Sequence, residues 1–171
     1  VVLPASVKYI DDFAFAGSAV GKINLENVDY IDGNAFEGCA QLTSVTLTAE
    51  VVYSKAFLNC TGLEEIKLDG TKFINSNVFQ GCISLTSVTV PASVIALKAE
   101  AFKDCTRLET AEVNVGNLNG TVSSSGTAGN GWFKGCTSLK SVTFADGLLR
   151  LENYLFEGCT SLTTIKLPAT L

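Results

Sequence analysis

The sequence contains no histidine and no methionine, and its 171 residues include one tryptophan and three prolines. Without histidine, the usual general base of enzymes and the Ser and Cys triads that depend on it are missing. Charged residues make up only 17% of the chain, the formal net charge is −5 and the isoelectric point is near 4.7. The chain therefore lacks the basic excess that binds phosphate backbones, which argues against nucleic acid as a partner.

Long apolar runs are also missing. The uninterrupted apolar stretches are a few residues long, whereas a membrane-spanning helix needs about 20, so no direct membrane insertion is predicted. No signal peptide or initiator methionine is present, and we interpret the chain as an excised piece of a longer protein. Apolar residues nevertheless make up 47% of the sequence, which is enough for the core of one domain over residues 1–171.

What the sequence does contain is a repeat. A motif of the form A-F-x-G-C recurs, and its phenylalanine marks each repeat as an anchor, at Phe15, Phe36, Phe57, Phe79, Phe102, Phe133 and Phe156. Consecutive anchors lie 21, 21, 22, 23, 31 and 23 residues apart. All cysteines of the chain stand three residues after an anchor, at Cys39, Cys60, Cys82, Cys105, Cys136 and Cys159, and Ser18 holds this position in the first repeat.

Two extended segments flank each anchor. After the cysteine the pattern is C-x-x-L-x-x-V-x-L, as in Leu42, Val45 and Leu47, and its last apolar positions alternate with polar ones as in a half-buried strand. Before the anchor, apolar residues stand eight and five positions upstream, as do Val28 and Ile31. Turn formers such as Pro91-Ala92-Ser93 lie between the two segments. Each repeat is therefore predicted to contain two short strands.

A single repeat has too few apolar side chains to offset the entropy of ordering its own backbone. The repeats must therefore stack and bury these side chains in one continuous core. The predicted architecture is a right-handed solenoid of seven repeats of about 23 residues. It is an α/β-type superhelix dominated by short parallel strands, with a short helical turn in each coil near A-F-x-G-C.

The combined pattern S-V-x-x-I-x-x-x-A-F-x-G-C-x-x-L-x-x-V-x-L-P resembles the BspA-like class of leucine-rich repeats, from Leu3 to Leu171. The resemblance implies a leucine-rich repeat solenoid from a surface or secreted protein of a host-associated bacterium. Members of that class are thought to mediate adhesion to host matrix proteins or to other cells. No asparagine ladder follows the strand, unlike in the better-known leucine-rich repeat, and the family has no catalytic motif to carry over.

The cysteine column is predicted to be structural. Equivalent Cβ atoms of neighbouring coils lie at about the strand spacing of 4.8 Å, whereas a disulfide needs about 3.8 Å. A tetrahedral metal site needs four converging ligands, whereas a ladder arranges its ligands in a line. We therefore expect free, buried thiols that act as small apolar side chains, and neither a metal nor any other cofactor.

Other candidates for chemistry are weak. The adjacent carboxylates of Asp11-Asp12 and Glu64-Glu65 point apart or into solvent. Three glycines between positions 126 and 131 resemble a phosphate loop only loosely, because no Lys-Ser or Lys-Thr follows them. Glycosylation sequons occur at Asn59, in the cysteine turn, and at Asn119, where one would matter only in a eukaryotic secretory host. The sequence thus predicts no catalytic and no cofactor-binding residue.

The outward positions of the downstream strands are a candidate binding surface, because leucine-rich solenoids usually bind partners there. Eight of the fourteen outward positions are Ser or Thr, and none is aromatic or Arg. Binding hot spots are enriched in Trp, Tyr and Arg, so a spacer surface explains this face equally well. Its charged candidates for partner contact are Lys67, Glu112 and Lys166.

The interval from Phe102 to Phe133 is the one break in the array. Its excess length lies at about residues 114–131, a stretch of Gly, Ser, Thr and Asn that we interpret as a loop insertion. Trp132 follows it, at a position that holds Ala in four other repeats. Either Trp132 covers the gap left by the distorted coil, which we favour, or it is exposed and forms a partner contact with Asn130 and Lys134.

The sequence as a whole favours a non-enzymatic module for protein–protein interaction or adhesion, outside the cell or on its surface. A structural stalk that presents another domain is the first alternative, and a carbohydrate-binding accessory module is the second. Exposed aromatic rows would favour the carbohydrate module, and the downstream strands lack them. Because the first and last coils end in the same phase without polar caps, weak end-to-end self-association is also expected.

Overall fold

The computed structural model describes residues 1–115, 131–148 and 151–169. Short strands of two residues alternate in these ranges with strands of three or four residues. The short strands are β1 (Tyr9–Ile10), β2 (Tyr30–Ile31), β4 (Val51–Val52), β6 (Phe73–Ile74) and β8 (Ala96–Leu97). The long strands are β3 (Ser44–Leu47), β5 (Glu65–Leu68), β7 (Ser87–Val90), β9 (Thr110–Val113), β10 (Ser141–Phe144) and β11 (Thr164–Lys166).

All strand pairs are parallel, and equivalent residues of successive repeats face each other. The short strands form one sheet in the order β1-β2-β4-β6-β8, with Ile10 beside Ile31 and Ile31 beside Val52. The long strands form two groups, β3-β5 and β7-β9-β10-β11. The second and fourth residues of β5, β7 and β9 are buried while the first and third are exposed. The predicted leucine-rich repeat solenoid is confirmed.

The core is a set of columns that run through the coils. The seven anchor phenylalanines stack on one another, with ring centroids from 4.9 Å apart for Phe36 and Phe57 to 6.1 Å apart for Phe133 and Phe156. The rings are nearly parallel, within 17° in every pair, which suits the offset stacking that aromatic pairs prefer. Five of the seven anchors are fully buried, and seven anchors delimit six complete turns of the solenoid.

Each coil has a third segment, the turn side, which runs from two residues before the anchor to three residues after it. Its backbone hydrogen-bonds to the next coil at the anchor, as in Phe36 N–H to Ala56 O at 2.7 Å, and two residues later, as in Gly38 N–H to Leu58 O at 2.8 Å. Backbone pairing therefore continues on this side although no strand is assigned there.

The predicted helical turn takes the form of consecutive hydrogen-bonded turns, and no helix occurs in the part of the chain that the structure describes. The backbone has a positive φ two residues before each anchor and two residues after it, as at Asn34 (57°) and Gly38 (70°). Only three residues lie between these two points, which is less than the 3.6 residues of one helical turn. The glycine of A-F-x-G-C is explained by its positive φ, which Asn59 and Asp104 adopt in two coils.

The cysteine column forms a hydrogen-bond ladder. Each thiol contacts the carbonyl oxygen of an anchor one coil earlier, with Sγ–O distances from 3.0 Å, for Cys39 to Phe15, to 3.4 Å, for Cys82 to Phe57. All six cysteines are free, and Cys159 alone is only half-buried. Each of these carbonyls also accepts a backbone N–H from the residue three positions later, so the S–H group donates a second hydrogen bond to it.

The long strands cross the insertion without losing register. Thr110–Val113 pairs with Ser141–Phe144 residue by residue, although the 31-residue interval separates the two coils. The short-strand sheet has β8 as its last strand in the described ranges. The pairing of β9 with β10 therefore does not depend on the length of the interval between them. No helix in the described ranges is long and apolar enough to cross a membrane.

Candidate functional site

The long-strand face, defined as the outward side chains of the long strands, carries three predicted contact residues. Lys67, Glu112 and Lys166 are all exposed. Lys67 forms an ion pair with Glu65 at 3.4 Å, and Thr89 Oγ1 contacts Glu112 Oε2 at 3.5 Å. The structure places these three residues in different coils and does not bring them together. Their neighbours are hydroxyl side chains, so this face has no aromatic anchor.

The long-strand face opens between β5 and β7. These two strands are not paired, although the short strands β4, β6 and β8 of the same region are. A cleft of about 310 Å³ lies at the opening, between Glu65 and Lys67 on one side and Ser87 and Thr89 on the other. The same turn-side hydrogen bonds join the two coils as elsewhere, including Phe57 N–H to Val78 O at 2.9 Å. The opening is therefore a wedge on the long-strand face, and the two coils stay joined on the turn side.

The short-strand face, on the other sheet, has a different composition. Its outward residues are those six and four positions before each anchor. In the first three coils these are Tyr9 and Asp11, Tyr30 and Asp32, and Val51 and Tyr53. The rings of Tyr9 and Tyr30 stack at 5.2 Å with an interplanar angle of 5°. Tyr9 is 65% exposed and Tyr53 is 43% exposed. The exposed Phe13 stands two residues before its anchor in the first coil.

Three carboxylates accompany these rings. Desolvation by burial raises the pKa of Asp32 above its usual value, and the negative charges of Asp12 and Asp11 raise it further. Asp12 Oδ1 lies over Gly33, the residue after Asp32. None of the three carboxylates forms an ion pair with a Lys or Arg of the described residues. They do not converge as metal ligands do, since no cluster of three metal-binding side chains occurs in those ranges.

The turn side carries ion pairs near the insertion. Lys134 Nζ lies 2.9 Å from Glu157 Oε2 and 5.6 Å from the ring centre of Tyr154. The hydrogen bond to Glu157 raises the pKa of Lys134. Burial alone would raise the pKa of Glu100, but hydrogen bonds from Lys103 and Asn77 outweigh it and lower that pKa. Lys134, a predicted contact residue, is thus engaged within the protein.

Trp132 is buried, with 1% of its surface exposed, and offers no exposed ring to a partner. Its indole Nε1–H donates to Leu97 O at 3.2 Å. In earlier coils the equivalent carbonyl accepts a backbone N–H of the next coil, as Ile74 O does from Lys98 at 2.9 Å. The indole therefore donates to a carbonyl of the same column that accepts backbone N–H groups in the earlier coils. Asn130, its predicted companion, and most of the predicted 114–131 loop lie outside the described residues.

The thiols from Cys60 onward are poorly reactive on chemical grounds. Burial raises the pKa of Cys60 to about 12, and burial also raises the pKa of Cys82, Cys105 and Cys136. Burial raises the pKa of the half-buried Cys159 as well. Because the thiolate is the nucleophile and the metal ligand, raised pKa values suppress both kinds of chemistry near neutral pH.

These features define the class of the protein as a leucine-rich repeat solenoid. The family model of the BspA type leucine rich repeat region matches residues 1–110 and 117–171 in six copies, and the chain belongs to this family. Membership makes the chain a repeat module for protein interaction or for structural support. Leucine-rich repeat solenoids of this kind are typically not catalytic. Among proteins of curated function, none matches the chain in sequence.

Solved structures similar to this chain are bacterial leucine-rich repeat proteins. The T. pallidum leucine-rich repeat protein TpLRR is 25% identical, with a TM-score of 0.62 over 99% of this chain and 70% of its own. The pneumococcal vaccine antigen PcpA is 20% identical, with a TM-score of 0.59 over 99% of this chain and 51% of its own. A leucine-rich cell surface protein from Faecalibacterium prausnitzii is 19% identical, with a TM-score of 0.50 over 99% of this chain and 34% of its own. The chain thus spans about half of PcpA and a third of the Faecalibacterium protein.

Proposed function

We propose that the chain is a non-enzymatic adhesion module of a bacterial surface or secreted protein, and that it binds a protein on the host matrix or on another cell. The observation that carries this proposal is the set of tyrosines on the short-strand face, of which Tyr9 and Tyr53 are exposed and Tyr30 is half-buried. A stalk that only holds another domain needs a polar, well-hydrated surface. Exposed tyrosines beside unpaired carboxylates are the side chains that interfaces use as anchors, because a ring supplies apolar contact at little entropic cost.

Family membership and the neighbours support the same proposal. The Faecalibacterium neighbour is described as a cell surface protein and PcpA as a vaccine antigen, which is consistent with a location outside the cell. Repeat solenoids present extended surfaces that bind partners without a deep pocket. The described clefts of this chain are open and of modest volume, about 310 Å³ between β5 and β7, as expected for surface binding rather than for catalysis.

The proposal is tested by adhesion of fluorescent beads that carry the 171-residue chain. The surfaces are collagen, fibronectin, fibrinogen, laminin and a confluent epithelial layer, with albumin-coated beads as the baseline. We expect retention above the albumin baseline on at least one surface, and reduced retention for the double variant Tyr30→Ser, Tyr53→Ser. Retention equal to albumin on every surface would show that the stalk alternative is correct.

The same assay separates the carbohydrate-binding alternative. Mild periodate oxidation destroys vicinal hydroxyls of glycans and leaves most of the protein surface intact. Retention that survives periodate supports a protein partner, whereas retention lost after periodate assigns the exposed tyrosines to sugar stacking. Either result is compared with a surface that was treated with buffer alone.

We also propose weak end-to-end association of this chain. All three residues of β11 are exposed, including Ile165 at 41%, and the following Leu167 is 44% exposed. An exposed strand edge with apolar side chains is a template for pairing with another chain. Sedimentation velocity over a hundredfold range of concentration tests this proposal. A sedimentation coefficient that does not change with concentration contradicts it.

A further inference from the structure

The outward residues of β1, β2 and β4, together with those two positions further on, form a compact patch. We define the tyrosine–aspartate patch by Tyr9, Asp11, Tyr30, Asp32 and Tyr53 of these positions, together with Asp12, whose Oδ1 lies over Gly33. The register aligns Tyr9 with Tyr30 in one column. A second column contains Asp11, Asp32 and Tyr53. Its register is fixed by two backbone hydrogen bonds of 2.9 Å, one from Asp32 N–H to Ile10 O and one from Tyr53 N–H to Ile31 O. Aromatic and carboxylate side chains therefore alternate on one sheet face.

The spacing of the patch suits a cationic side chain. Neighbouring coils lie about 4.8 Å apart and alternate residues of one strand about 7 Å apart. A carboxylate of one coil is thus beside a ring of the same or the next coil. The stem of Lys or Arg is apolar and packs on a ring, while its charged end reaches a carboxylate a few ångströms away. A guanidinium also stacks on Tyr rings and binds a carboxylate through two parallel hydrogen bonds.

The charge of this end of the molecule supports the same partner. Residues 1–57 carry seven acidic and three basic side chains, so most of the net charge of −5 resides in the first third of the chain. The nearest cations do not neutralise the patch. Lys8 Nζ donates to the carbonyl of Asn27 at 2.9 Å, and Lys55 has no ion pair with a described acidic residue. A positive partner would therefore gain electrostatic attraction as well as contact.

We propose that the tyrosine–aspartate patch docks a cationic protein segment, one that presents two or more Arg or Lys side chains to the sheet face of the first three coils. This inference deepens the proposed function and rests on it, because it names the chemistry of the protein partner. Arg is preferred to Lys, since only Arg combines ring stacking with bidentate binding of a carboxylate. The predicted contacts on the long-strand face play no part in this binding.

The probe is a fluorescein-labelled ten-residue peptide of alternating Gly and Arg, and binding to the 171-residue chain is measured by fluorescence anisotropy. Peptides of alternating Gly and Lys, and of Gly and Glu, complete the set. We expect saturable binding that is tighter for Arg than for Lys and absent for Glu. Affinity should fall as the salt concentration rises, because exposed charges are screened.

Two matched variants locate the site. The patch variant Asp11→Asn, Asp12→Asn, Asp32→Asn removes three carboxylates, and the control variant Glu64→Gln, Glu65→Gln, Asp69→Asn removes three exposed carboxylates from the other side of the solenoid. Both change the net charge equally. We expect the dissociation constant of the Arg peptide to rise at least about tenfold in the patch variant and less than about threefold in the control. The variant Tyr30→Ser, Tyr53→Ser should raise it about fivefold with no change in charge.

Unchanged thermal unfolding of each variant shows that the fold is intact. Equal weakening by the patch and control variants would overturn the proposal, because attraction would then depend on net charge alone. Absence of saturable Arg-peptide binding would overturn it too. If beads adhere but these peptides do not bind, the proposed function stands and the cationic partner is wrong. If a neutral glucan hexasaccharide binds instead and the tyrosine variant abolishes it, the patch is a sugar site.

Discussion

The two sheet faces of this solenoid are built from the same repeat, yet they differ in what they expose. The long-strand face has Ser and Thr at most outward positions, whereas the first three coils of the short-strand face expose tyrosines and aspartates. Long strands pair over three or four residues, so their backbone ladder supplies most of the local order. Short strands pair over two residues only, and they depend more on side chains. The proposed binding residues thus lie where the backbone contributes least.

The coils on either side of the long interval, those of Phe102 and Phe133, show the same difference between the two sheet faces. Across this interval the long strands β9 and β10 keep four residues in register. On the short-strand side, the indole of Trp132 donates a hydrogen bond to the carbonyl of Leu97. In the described residues, the long strands are therefore joined across the interval by their backbone, and a side chain makes a contact on the short-strand side. The comparison predicts that a single substitution at Trp132 affects the short-strand side far more than the long-strand side.

The largest expected effect is that of Trp132→Ala. Truncating a fully buried aromatic ring costs about 3–5 kcal/mol of unfolding free energy, and the hydrogen bond from the indole to Leu97 O is lost as well. We expect a loss in that range by urea unfolding, and faster amide exchange in β8 than in β9 and β10. Trp132→Phe, which keeps most of the volume but lacks the N–H, should lose much less. Equal increases of amide exchange in β8, β9 and β10 would contradict the expectation that the short-strand face depends more on Trp132 than the long-strand face does.

The seven-anchor array, the two strands of each repeat and the cysteine column were predictable, because each recurs at a fixed phase. Trp132 was predicted to cover the gap left by the distorted coil rather than to be exposed, and it is buried. Its hydrogen bond to Leu97 could not be derived from sequence, because it depends on the reach of one indole. The turn was predicted as helical, since positive φ at residues such as Lys55 and Tyr154 has no sequence signal.

The patch on the short-strand face was missed for a different reason. Its signal is present in the sequence, since Tyr9 and Tyr30 share one phase of the repeat and Asp11 and Asp32 share another. The expected binding surface was that of the downstream strands, because leucine-rich solenoids usually bind partners there. The wedge between β5 and β7 has a weaker sequence signal, which is the length of the link from the long strand to the short strand. This link has three residues between Leu47 and Val51, and four residues between Leu68 and Phe73.

The second largest expected effect is on the pH dependence of stability, and it arises on the turn side, which joins the two faces in every coil. Burial raises the pKa of Cys60 to about 12 from a reference value of 9.0. The folded state therefore holds this proton more tightly than the unfolded state does, so the stabilisation is complete below pH 9.0 and is lost as the pH rises toward 12. The loss is about 1.4 kcal/mol per pH unit for one thiol.

The variant Cys60→Ser isolates the contribution of this thiol to the pH dependence of stability. The serine hydroxyl can still donate to Phe36 O, but it does not titrate. Ser18 holds the equivalent position in the first coil. Between pH 10 and 11, the unfolding free energy should fall less steeply with pH in the variant than in the parent protein. The two slopes should differ by about 1.4 kcal/mol per pH unit. Identical slopes for the two proteins would mean that Cys60 titrates normally in the folded state. Amide exchange at high pH should increase on both sheet faces together, since the thiol column supports both.

The smallest expected effect is on the long-strand face itself. The triple variant Lys67→Ala, Glu112→Ala, Lys166→Ala removes every predicted contact residue of that face. All three side chains are exposed, and surface substitutions of this kind usually change stability by less than about 0.5 kcal/mol each. Both side chains of the ion pair between Lys67 and Glu65 are exposed to solvent, so this pair contributes little to the unfolding free energy. We therefore expect urea unfolding, bead adhesion and Arg-peptide binding all to match the parent protein. Weaker adhesion with intact stability would invert the comparison, because the Ser- and Thr-rich face would then be the one that binds, and the tyrosines of the short-strand face would be left without a role in adhesion.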